Sequence, residues 1–154
     1  MKDDTKMRPI LILFVCSGNT CRSPMAKFMM EIEGRKAGLN VAAESAGIFS
    51  TQNAPLSLFA KNALEQLYSR EFMNFSKPVS KKLVEAADYI FLFTNEQLVS
   101  LKKFFPKYKH KMHTISENDV PDPFGGSQQD YDFTAKLIQD AVKQIIKNLK
   151  EKEI

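Results

Sequence analysis

The sequence predicts an α/β protein, a three-layer sandwich whose central four-stranded parallel sheet carries helices on both faces. Two observations point there. Strand and helix patterns alternate along all 154 residues, which argues for a parallel sheet covered on each side. The first apolar run, Ile10 to Val15, is continuous rather than alternating, as in a strand buried on both faces.

The elements follow in order. After the first strand, Ser23 and Pro24 read as the N-cap and first position of a helix reaching about Ala37. Met25, Phe28, Met29 and Ile32 share one face of it, and Gly38 is its expected C-terminal cap. Val41 to Ser45 is a second strand, ending at Ala46-Gly47. Pro55 is expected to open a helix whose stripe of Leu56, Phe59, Ala60, Ala63, Leu64 and Leu67 packs into the core. A short helix from Ser80 to Ala87 leads into a third strand, Tyr89 to Phe93. Thr94 and Gln97 form a capping box for the next helix, which Pro106 ends. Met112 to Ile115 is a short fourth strand, and Ser116 to about Gln129 is a loop holding Pro121, Pro123, Gly125 and Gly126. The last helix runs from about Asp130 to Lys150 and buries Leu137, Ile138, Ala141, Ile145 and Leu149. Residues 1–8 read as an N-terminal extension, 9–150 as a single domain and 151–154 as a C-terminal tail.

Composition narrows the function classes. A net charge of +4 is mild and reads as a lysine-rich solvated surface, not a nucleic-acid face. The basic and aromatic run from Lys103 to Lys111 is broken by Pro106 and reads as a helix end followed by an exposed turn. No apolar stretch is long enough to span a membrane, and the N-terminal run of about six residues is too short for a signal-peptide core. Two cysteines inside one short loop do not make a disulfide framework. These features place the chain in the cytoplasm. His110 and His113 lack partners at metal-ligand spacing, so no metal is expected.

The chemistry concentrates in Cys16-Ser17-Gly18-Asn19-Thr20-Cys21-Arg22-Ser23, between the first strand and the first helix. A loop in that position aims backbone N–H groups and a helix N-terminus at one point, which attracts an anion, phosphate above all. Cys16 is the candidate nucleophile. The N–H groups from Ser17 to Arg22 can hold the equatorial oxygens of a phosphoryl group, and the Arg22 guanidinium adds a bidentate charged clamp. Gly18 lets the loop bend, and Asn19 can hold an awkward backbone angle while bracing the loop through its side chain. Ser23 can donate to the Cys16 sulfur as well as cap the helix. A leaving group needs a proton and an attacking water must lose one, and a single carboxylic acid serves both steps. Asp122, held stiffly between Pro121 and Pro123, is that acid. Both its loop and the Cys16 loop follow strands, so they are expected to open on one edge of the sheet. Cys21 has two readings: a small buried filler, or a resolving thiol that traps oxidised Cys16 as a disulfide.

The run Val15-Cys16-Ser17-Gly18-Asn19-Thr20-Cys21-Arg22-Ser23-Pro24 resembles the active-site signature of the low-molecular-weight protein tyrosine phosphatase family. Glu44-Ser45-Ala46-Gly47 and Asp122-Pro123-Phe124-Gly125 match its other landmarks in order, and the resemblance covers about Pro9 to Lys150. It implies a cytosolic phosphatase without metal or cofactor, acting on phosphorylated proteins through a phosphocysteine on Cys16. Arg22 then binds phosphate, and Asp122 acts as acid and afterwards as base. The resemblance further implies that Ser45 hydrogen-bonds to Asn19 to support the loop, and that Phe124 belongs to the site. Asn74 stands where many members have a helper histidine. Within the family, Thr20 and the run Asp122 to Ser127 are most similar to bacterial protein-arginine phosphatases. Tyrosine-specific members usually carry isoleucine where Thr20 stands. A threonine hydroxyl can hydrogen-bond a guanidinium or orient water, whereas isoleucine only packs against a ring. Phosphoarginine is therefore the expected substrate and phosphotyrosine the alternative. An arsenate reductase needs more cysteines than Cys21 supplies. A phosphocysteine carrier has no use for Arg22 and Asp122, and a phospho-binding module usually lacks the nucleophile or the acid. The sequence leaves the oligomeric state open.

Overall fold

The computed structural model describes residues 8–152 and 154. All of the expected N-terminal extension except Arg8, and Glu153 of the tail, lie outside the described residues.

Four strands, β1 (Ile10–Cys16), β2 (Val41–Gly47), β3 (Tyr89–Leu92) and β4 (Met112–Thr114), form one parallel sheet in the order β2-β1-β3-β4. β1 is internal, so both of its faces are buried, which accounts for its unbroken apolar run. Ile12, Phe14 and Cys16 face a core shared with α1 (Arg22–Lys36), α2 (Leu58–Tyr68) and α5 (Gln128–Glu151). Leu13 and Val15 face the opposite core, which includes Val84 of α3 (Lys81–Ala86) and Leu101 of α4 (Asn95–Phe104). The alternation follows from the two-residue period of a strand and yields the three layers that were expected. Phe14, fully buried among Phe91 and Phe93, anchors the larger core. Truncating such a ring to alanine costs about 3–5 kcal/mol.

The element ends differ from the sequence reading in instructive ways. α1 begins at Arg22, with Cys21 at the capping position and no side-chain cap. The Ser23 hydroxyl is not a cap because the site uses it, and Pro24 sits inside the first turn, where a missing N–H costs nothing. α2 begins at Leu58 rather than Pro55. Pro55 bridges Phe75, Leu56 N–H donates to the Asn74 carbonyl, and Ser57 N–H donates to the Thr20 carbonyl, so this stretch is spent on pairing. Phe59 and Leu67 are more than a third exposed, so the α2 stripe is only partly core. The Phe59 ring meets Tyr131 edge-on at 5.4 Å.

Thr94 and Gln97 form the expected capping box at α4. After it, Pro106–Lys111 makes a 3-10 helix with Tyr108 buried, not a plain exposed turn. α5 begins at Gln128, because Ser127 and Asp130 form a second capping box. Its inner face is Ile138, Ala141, Val142, Ile145 and Ile146, while Leu137 and Leu149 are only half-buried. No helix among the described residues is long and apolar enough to cross a membrane.

Candidate active site

The loop that follows β1 and the loop that follows β4 meet at the carboxyl edge of the sheet, as a doubly covered parallel sheet leads one to expect. They enclose a cavity of about 340 Å³ lined by Cys16 through Arg22, Phe49, Asp122 and Phe124.

The first loop is shaped by where its carbonyls go. The Cys16 carbonyl accepts from Ile48 N–H at 2.9 Å, that of Ser17 from Phe49 N–H at 3.0 Å, and that of Thr20 from Ser57 N–H at 2.9 Å. With these acceptors tied outward, the loop can turn N–H groups toward the cavity as a nest suited to an anion, as Asn19 N–H does in reaching the Cys16 sulfur at 3.3 Å. The turn itself rests on Asn19, which adopts a left-handed φ of 60°, a region open chiefly to Gly, Asn and Asp. The Asn19 carboxamide donates to Ser23 Oγ at 2.8 Å and accepts from Lys77 N–H at 3.0 Å. The bracing of Asn19, which the resemblance assigned to Ser45, is thus performed by Ser23 and Lys77. Ser45 is buried in β2, paired in register with Phe14. Asn74 reaches the site only indirectly: its carbonyl takes the Leu56 N–H, and its Nδ2 is buried without a partner.

Cys16 is buried, with Ser23 Oγ at 2.9 Å from its sulfur and Asn19 N–H donating to the sulfur at 3.3 Å. Both neighbours can stabilise a sulfur bearing negative charge. The Arg22 side chain is 5% exposed, its Nη1 donating to the Val120 carbonyl at 2.9 Å and its Nη2 lying 3.7 Å from Asp122 Oδ2. The Arg22 Nε is buried with no acceptor. A charged donor left so is costly, and an anion in the cavity would supply what it lacks.

Asp122 is half-exposed, with Oδ1 accepting from Phe124 N–H at 3.0 Å and from the Cys21 thiol at 3.7 Å. Burial, reinforced by the neighbouring Cys16 and Asp122 charges, pushes the Cys21 thiol up to about 12. Cys21 therefore keeps its proton at neutral pH and serves here as a donor to the acid. Thr20 and Gly18 line the cavity wall. Phe124, 82% exposed, and a second exposed aromatic, Phe49, both line this cavity.

Three contributors were not singled out from the sequence. Phe49 carries no motif, since exposure at a rim leaves no pattern. Gly47 appeared only as part of a matching landmark, yet a β-carbon there would lie 2.7 Å from the Ser17 carbonyl oxygen. Gln97 was read only as a helix cap, whereas its Nε2 donates to Ser17 Oγ at 3.1 Å. The histidines lie elsewhere: His113 on β4 lies tilted against Phe91 at 5.6 Å, and no group of three potential metal ligands occurs among the described residues.

A buried thiol in an anion nest, a buried arginine beside it and a carboxylic acid across the opening define a cysteine-dependent phosphatase. The profile of the family described as low molecular weight phosphotyrosine protein phosphatase matches residues 11–154, and the chain belongs to that family. It is 34% identical over 148 residues to a protein-arginine-phosphatase of Bacillus subtilis, covering 91% of this chain and 97% of the relative. A mutant YwlE arginine phosphatase with a phosphorylated active-site serine superposes with a TM-score of 0.87 at 34% identity, covering 91% of this chain and 95% of the other. A low molecular weight protein tyrosine phosphatase from T. tengcongensis superposes equally well, with a TM-score of 0.87 at 30% identity over 90% of this chain and 99% of its own.

Proposed function

We propose that this enzyme removes the phosphoryl group from phosphoarginine side chains of cytosolic proteins in two steps. The observation that carries the reading is the single cavity in which Cys16, Arg22 and Asp122 converge, joined to the 34% identity with a protein-arginine-phosphatase. In the first step the Cys16 sulfur attacks phosphorus and the P–N bond breaks. The loop N–H groups and Arg22 hold the three equatorial oxygens, and Asp122 gives its proton to the departing guanidine nitrogen. In the second step Asp122, now a carboxylate, takes a proton from a water that attacks the phosphocysteine. Inorganic phosphate leaves and the Cys16 sulfur is restored with its negative charge, stabilised by the Ser23 hydroxyl at 2.9 Å. Ser17, Gly18, Asn19 and Cys21 complete the cradle. Thr20 faces the substrate, where its hydroxyl can bond a guanidinium nitrogen.

A second reading rests on the rim. Phe49 and Phe124, 74% and 82% exposed, can sandwich a phenyl ring, which favours phosphotyrosine. The same two rings also stack on a planar guanidinium, so the rim does not oppose phosphoarginine. Turnover of phosphoarginine and phosphotyrosine peptides, measured side by side, separates the readings. A higher kcat/KM on phosphoarginine is expected, and a clear preference for phosphotyrosine overturns the assignment. Cytosolic residence agrees with two unpaired thiols, one of them the nucleophile.

A further inference from the structure

Gln97 is 6% exposed and stands third in α4. Its Oε1 accepts from Phe93 N–H at 2.9 Å and from Thr94 N–H at 3.2 Å. Those bonds make the helix cap, and a glutamate would make them as well. The other end of the side chain does something a glutamate cannot do at neutral pH. Its Nε2 donates to Ser17 Oγ at 3.1 Å, and a carboxylate has no donor to offer. Ser17 directly follows the nucleophile, and its carbonyl is already held by Phe49 N–H. We propose that Gln97 is a positioning residue for phosphoryl transfer, gripping Ser17 from the rigid junction of β3 and α4 and so fixing the entry of the phosphate loop. Because Gln97 donates to Ser17 Oγ, the Ser17 O–H stays free to point into the cavity that Ser17 lines.

The inference rests on the phosphatase reading, and Gln97→Glu tests it separately. That variant keeps the capping oxygen but replaces the donor by a carboxylate, which draws the Ser17 O–H away from the cavity. Phe93 N–H, Thr94 N–H and the N-terminus of α4 favour the charged form of that carboxyl, so the donor stays absent at neutral pH.

The measurements are kcat and KM on an aryl phosphate at pH 7.5, the inhibition constant of inorganic phosphate, and Tm. Expected are a Tm near that of the parent and a kcat lower by about tenfold at pH 7.5, the scale of one hydrogen bond left unmade. The inhibition constant of phosphate should rise while Tm holds, a split that a merely structural role would not give. Ser17→Ala should lose a similar factor, and adding Gln97→Glu to it should cost little more. An unchanged phosphate inhibition constant, or losses that simply add, overturns the positioning role while the parent's turnover leaves the phosphatase reading standing. A parent without turnover sinks both. Should Gln97→Glu not fold, an unaltered kcat in Ser17→Ala refutes the proposal.

Discussion

Replacing Gly47 by alanine adds one methyl group at the end of β2, and the structure says what it meets. The new carbon lies 2.7 Å from the Ser17 carbonyl oxygen, 2.7 Å from Ser50 Cβ and 3.1 Å from Asn19 N. Two of these are backbone atoms of the phosphate loop, which no rotamer change can move aside. Restoring an ordinary contact of 3.4 Å requires a shift of about 0.7 Å in the loop or in β2. Displacing reacting groups by about 1 Å costs on the order of a hundredfold in rate. The expected fall in kcat/KM is therefore about 30- to 100-fold, or roughly 2–2.7 kcal/mol of transition-state stabilisation. Overpacking of this kind also costs about 1–3 kcal/mol of stability. Steady-state hydrolysis of para-nitrophenyl phosphate gives the first quantity and urea denaturation the second. A variant with kcat/KM within threefold of the parent would show that the loop yields freely, and the argument from close approach would fail.

Three further outcomes are expected. Asp122→Asn should lower turnover about 10²- to 10⁴-fold on phosphoarginine and far less on aryl phosphates with acidic leaving groups; equal losses on both would remove Asp122 as the acid. Thr20→Ile should shift the ratio of specificity constants toward phosphotyrosine, and an unchanged ratio refutes its role in selection. Because the Cys21 thiol is raised from 9.0 to about 12, the folded state holds this proton after the unfolded chain has lost it. Stability from this source is full below pH 9 and declines as pH rises toward 12. Urea midpoints of parent and Cys21→Ser should diverge over that window, and parallel curves would contradict the assignment. The same protonation predicts that mild peroxide closes a Cys16–Cys21 disulfide only slowly at pH 7, with the rate rising in alkali; mass spectrometry showing only over-oxidised Cys16 would exclude the resolving role.

The layers were readable because β1 and α5 obey single, strong periodicities and because Thr94 with Gln97 is a local capping signal. The start of α1 was misread because Ser23 satisfies two rules at once, and the tertiary demand for a hydroxyl against the Cys16 sulfur prevailed over capping. Pro55 and Leu56 failed as helix starters for a related reason: their partners, Asn74 and Phe75, lie far along the chain. Cys16, Arg22 and Asp122 could be picked out because each must be a particular chemical group. Phe49, Gly47 and Gln97 could not, since their importance lies in the shape of the space around them. The placement of Asn19 illustrates the boundary. Its backbone angle was foreseeable from residue type, whereas its bonds to Ser23 and Lys77 were not.

The bond from Arg22 to the Val120 carbonyl links the two halves of the chemistry. One guanidinium both faces the phosphate cradle and pins the stem of the segment that carries Asp122. The chain thus has no independent control over where its nucleophile's anion site sits and where its proton donor sits, since tuning one retunes the other. Losses from altering Arg22 and Asp122 together should accordingly fall short of the product of the single losses. Thr20 and the two rim aromatics line the same cavity but make neither of these Arg22 bonds.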